Sequence, residues 1–141
     1  MNTKTKKTKR GFTITELVIV IAVIAILAAV LIPTFSNVIN RANESAAMQE
    51  ARSEYDNFSP EVVLDDSYGN DFLLVYKEND ADAVKYFVVV DGQFNPDAAS
   101  LSGTTVTYTE DGASKTATKE DAVTGYTIQN SNIKIYKLTV A

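Results

Sequence analysis

Glu16 stands immediately before a stretch, Leu17 to Ile32, that is apolar without a break. A carboxylate carried into lipid costs roughly 3 kcal/mol on insertion scales, so an acid in such a place calls for a partner of opposite charge. The chemistry this predicts is charge pairing. Other chemistry finds little footing. The chain has no His and no Cys, which removes the usual serine and cysteine triads, the commonest metal ligands and any disulfide. Asp65 and Asp66 are adjacent acids in a loop with Ser67, Tyr68, Gly69 and Asn70, and they read as solvated. Asp80 and Asp82 offer two oxygen ligands in a polar turn, whereas a calcium cage needs six to eight. No positioned nucleophile or base can be named, so neither an enzyme nor a metal or other cofactor is expected.

Three regions must position Glu16. Lys4, Lys6, Lys7, Lys9 and Arg10 lead to Gly11, and basic flanks of this kind stay on the cytoplasmic side of a membrane. Residues 1–11 therefore read as a basic leader. From Phe12 to Phe35 the chain is long enough, at about 1.5 Å per residue, to cross a bilayer core as a helix. The same helix is expected to continue over 36–58 with an amphipathic pattern. Phe35, Val38, Ile39, Ala42, Ala46, Tyr55 and Phe58 recur on one side, with Arg41, Glu44, Glu50 and Glu54 mostly on others. Pro33 removes one backbone bond and predicts a local kink, and Ser59-Pro60 predicts the helix end.

Residues 59–141 read as a β-rich head, making the chain α+β with a small antiparallel sheet. Short runs rich in β-branched and aromatic residues lie at Phe72–Lys77, Val84–Val90, Thr104–Thr109, Ser114–Thr118, Tyr126–Ile128 and Ile133–Val140. Asp91-Gly92 and Asp111-Gly112 mark turns, the second one a hairpin. Such a sheet needs cover on one face, and the second half of the long helix is the obvious cover.

Two ordinary explanations of the N-terminal stretch fall short. A secretory signal peptide ends in a small-residue cleavage site, and Pro33-Thr34-Phe35-Ser36-Asn37-Val38 offers none. A plain membrane anchor leaves Glu16 unexplained. The junction Gly11-Phe12-Thr13-Ile14-Thr15-Glu16, the apolar run and Pro33 together resemble the prepilin cleavage and methylation signature of type IV pilins and pseudopilins. The resemblance covers roughly the first third of the chain. It implies cleavage between Gly11 and Phe12, N-methylation of Phe12, and docking of subunits through Glu16 on the Phe12 amine of a neighbour. It also implies a homo-oligomeric filament as partner, with a prepilin peptidase, an assembly ATPase and a membrane platform protein. The subunit would sit in the cytoplasmic membrane, N-terminus inside and C-terminus outside, and in an extracellular filament after assembly. Three features depart from the family pattern. Ala25 stands where members whose helix unwinds often have glycine, Thr15 stands where an apolar residue is common, and the cysteines of many Gram-negative pilins are missing. The competing reading is a membrane-anchored extracellular binding module that does not polymerise.

Charge agrees with an exported chain. The net charge of the sequence is −5, from 13 basic and 18 acidic residues. Loss of the five basic leader residues would leave 8 against 18, or −10. Residues 44–97 hold 13 acids and 3 bases, a field that opposes nucleic-acid binding.

Overall fold

A computed structural model describes residues 11–141. The basic leader, apart from Gly11, lies outside the described residues. The chain divides into two compact units between Asn40 and Arg41.

One helix, α1, runs over Ile14–Leu64. Its part in the first unit, up to Asn40, has every large apolar side chain exposed. By length and composition it can cross a membrane. The helix assignment is unbroken through Pro33, and the Thr34 hydroxyl donates to the Val30 carbonyl at 3.0 Å. Ala25, Ala28 and Ala29 are strong helix formers ahead of the proline, and no glycine interrupts the run from Phe12 to Asn40.

The second unit holds the rest of α1 and seven strands: β1 Phe72–Tyr76, β2 Lys85–Val90, β3 Gln93–Phe94, β4 Ser100–Ser102, β5 Thr105–Glu110, β6 Ala113–Ala122 and β7 Ile133–Val140. They form one antiparallel sheet in the order β3-β2-β1-β7-β6-β5-β4. Asp91-Gly92 and Asp111-Gly112 make the tight turns before β3 and β6. All four residues have positive φ, which suits a turn whose twist matches its strands. Side chains alternate between two buried layers, as the period of a strand requires. Phe72, Leu74, Phe87, Val89, Ile133 and Ile135 face α1, where Ala47, Ala51, Tyr55 and Phe58 cover them. Leu73, Val75, Val88, Val106, Tyr108, Ala117 and Leu138 form the other layer. Among the described residues no helix covers this second layer. The sheet curls over it instead, bringing the residue before β4 back to β2, where the Ala99 amide donates to the Tyr86 carbonyl at 2.8 Å.

Four local expectations are corrected. The helix continues past Ser59-Pro60 to Leu64, because proline forfeits only one bond while Phe58 is buried and Val62 packs against the core. Its buried side begins at Ala47, and Phe35, Val38, Ile39, Ala42 and Ala46 are exposed. Glu54, expected on an outer side, is 2% exposed within the head. Tyr126–Ile128 is a loop rather than a strand; Tyr126 and Ile128 pack on the α1-facing core instead of pairing. The short strands β3 and β4 were not anticipated, since two or three residues carry no readable alternation.

Candidate functional site

Gly11, Phe12 and Glu16 lie together at the start of α1. Gly11 has open space around it, and Phe12 is 94% exposed. Thr13 and Glu16 form a reciprocal cap: the Thr13 amide donates to Glu16 Oε2 and the Glu16 amide donates to Thr13 Oγ1, each at 3.1 Å. This T-x-x-E arrangement satisfies two amides that a helix start leaves without partners. The carboxylate is thereby held back toward Phe12. Thr13 escaped the sequence reading, although a Ser or Thr three residues before a Glu at a helix start is a legible pattern. Pro33 lies 17 residues beyond Glu16 and has no part in this cluster.

Beyond this start, apolar residues dominate the exposed surface of α1. Ile14, Leu17, Val18, Ile19, Val20 and Ile21 begin a series that ends at Ile39, and none of its large members is buried. Patches on ordinary soluble proteins rarely exceed a few hundred Å2, and larger ones mark protein or membrane contacts.

The acids of the head serve structure. Asp65 accepts from the Ser67 amide at 2.9 Å, and hydrogen bonding from the Ser67 side chain first and that amide second holds its carboxyl below the ordinary range. Asp80 accepts from the Asp82 amide at 3.2 Å, a local turn. Among the described residues no group of three His, Cys, Asp or Glu is placed to hold a metal. Glu54 ties the 123–132 connection to α1, accepting from Tyr126 Oη at 3.2 Å, the Gln129 amide at 3.0 Å and the Asn130 amide at 3.1 Å. Burial and the Glu54 charge push the Tyr126 hydroxyl up to about 12. Glu78 gathers Tyr136 Oη at 2.6 Å and Lys134 Nζ at 2.8 Å, with Lys119 Nζ at 3.9 Å and above the Tyr136 ring. Burial alone would raise the Glu78 carboxyl, but the Lys134 and Tyr136 hydrogen bonds bring it below its ordinary value. Nothing local in the sequence marked Glu54 or Glu78, because their partners are more than 40 residues away.

Comparison with known proteins bears on the first site. A family described as "Prokaryotic N-terminal methylation motif" matches residues 6–32. Type IV major fimbrial proteins FimA from Dichelobacter nodosus are 49% identical over 45 residues, which span 32% of this chain and 29% of those relatives. Residues 6–32 thus carry the N-terminal methylation motif, and the similarity to type IV fimbrial proteins covers about a third of the chain. The matched stretch includes the Thr13–Glu16 cap and most of the exposed apolar helix. The chain therefore spans under a third of the length of the curated relatives it matches. No solved structure matches it. A long apolar helix with an antiparallel sheet is the α+β architecture expected of a pilin.

Proposed function

We propose that this chain is a structural subunit of a type IV pilus-like or secretion filament, made as a precursor and cleaved between Gly11 and Phe12. The observation that carries the reading is the exposed apolar helix headed by one capped acid. A helix with no cover of its own must bury that surface in lipid or against other copies. Membrane insertion holds the subunit before assembly, N-terminus inside and head outside, and helix packing holds it afterwards. A prepilin peptidase performs the cleavage and N-methylates Phe12, and an ATPase-driven platform supplies the subunits to the filament. Pro33 gives the packed helix a place to kink.

Glu16 is the docking residue in this account. Cleavage creates an α-amine on Phe12 close to hydrocarbon, and an acid beside it is costly unless the two charges pair. Pairing across subunits neutralises both and fixes the axial register. The cap holds the Glu16 carboxylate toward the helix start, where an incoming amine would meet it.

Mass spectrometry of the cell-surface protein tests the processing. The expected N-terminus is Phe12 with one added methyl group, and Gly11→Val leaves the precursor uncut. A mature chain starting beyond Ile32 would restore the secretory-signal reading and end this one.

A further inference from the structure

Among the described residues of the second unit, large apolar side chains are exposed at only two places, Val63 at 79% and Leu64 at 82%. Folding does not require them, because Val62 beside them already packs on the core. Asp65 and Asp66 follow directly and are exposed as well. The helix therefore ends in an apolar pair backed by two acids, at the pole where the helix dipole is itself negative.

A complementary surface lies lower on the same helix. At about 100° per residue, Arg41, Arg52 and Val63 fall within about 40° of one another, and Leu64 lies about 100° further round. All four are on the half of α1 turned away from Ala47, Ala51 and Phe58. Arg41 and Arg52 are exposed. The ion pairs among the described residues join Lys115 to Glu110 and Lys119 and Lys134 to Glu78, and none involves either arginine.

We propose that this outward side of α1 is a contact between copies of the chain. The Val63–Leu64–Asp65–Asp66 end of one copy lies on the Arg41–Arg52 flank of the next. The inference rests on the filament reading and adds the head contact to it. Three arguments select a second copy as the occupant. Two side chains offer on the order of 100 Å2 each, far below the ~800 Å2 per partner of a stable complex, so the partner must already be held nearby. The exposed apolar helix of each copy supplies that proximity, which turns a weak second contact into an effective one. Exposed Arg41 and Arg52 at one end of this side are opposite in charge to Asp65 and Asp66 at the other, with Asp56 between them, so copies match when displaced along the axis. Such a head-to-tail contact propagates instead of closing.

The absence of cysteine makes the test clean. The full chain carrying both Arg52→Cys and Leu64→Cys is expressed, and its sheared filaments are treated with a short bis-maleimide. A ladder of dimers, trimers and longer products is expected, while either single variant stays monomeric. Arg52→Glu alone lowers filament yield several-fold, and adding Asp66→Arg restores it. Wild-type filament yield without a ladder would overturn the contact and leave the filament reading intact. Dimers from Leu64→Cys alone would also overturn it, because they mean that the apolar ends meet each other. Absence of filaments from the unmodified chain refutes the filament reading and this contact with it.

Discussion

At the residue scale, Glu16 has two roles that substitution can separate. The cap with Thr13 is a local role, and loss of such a cap costs about 1 kcal/mol. Docking needs the negative charge, and an unpaired buried partner costs about 3–5 kcal/mol. Glutamine can complete the same cap without a charge. Glu16→Gln should therefore leave cleavage and membrane insertion intact yet reduce filament yield more than roughly tenfold, as follows from losing a pair of that strength. Thr13→Ala, which removes the cap but keeps the charge, should reduce yield far less. Immunoblots of sheared and membrane fractions read both. Unchanged yield from Glu16→Gln would make Glu16 a capping residue only. The charge at this site was legible because it stands directly at the head of an unbroken apolar run. Thr13 was equally legible in principle, as its partner is three residues away.

At the scale of elements, the junction between α1 and the sheet depends on contacts that no local pattern announces. Glu54 reads as one more acid on an amphipathic helix, yet it is buried and joins three donors from the 123–132 connection. That same connection looked like a strand at Tyr126–Ile128, because Tyr, Thr and Ile suit a sheet as well as a packed loop. Tertiary packing decided both cases, as it did where Val62 carried the helix past Pro60. By contrast, β1, β2, β5 and β7 were readable to within a residue or two from their composition and flanking turns. Glu54→Ala should leave Tyr126 Oη and two amides without their acceptor and destabilise the head by about 1–3 kcal/mol. Urea unfolding of a soluble segment beginning at Ser36 measures this, and an unchanged midpoint would contradict the role given to Glu54.

The two displaced tyrosines add a pH signature to these elements. Tyr126 and Tyr136 are each pushed up to about 12 from 10.0, by burial first and then by Glu54 and Glu78 respectively. Between those values the folded chain keeps protons that the unfolded chain releases. Stability is thus fully present below pH 10 and falls as pH rises toward 12. Glu78, held below its ordinary 4.5, acts in the opposite direction: its contribution is present above that value and is lost as pH falls through the lowered one. Thermal unfolding of the same segment across pH 9–12 should show the alkaline fall, and Tyr126→Phe should make it shallower. A flat profile would mean that the hydroxyls are solvated in the folded head.

At the scale of the whole molecule, the apolar and head units differ in what they ask of their surroundings. The head buries its own core in two layers, so the segment from Ser36 should be soluble and monomeric by light scattering. Self-association of that segment into filaments would move the driving force from the helix to the head. The long helix and the sheet class were legible from composition and period. The curl that buries the second layer was not, since closure depends on which distant strands meet. Shearing cells that express the full chain tests the central claim most directly. The account predicts surface filaments built from a chain that begins at methylated Phe12. Recovery of that chain in the membrane alone, with none in the sheared fraction, would contradict it and favour an anchored binding module.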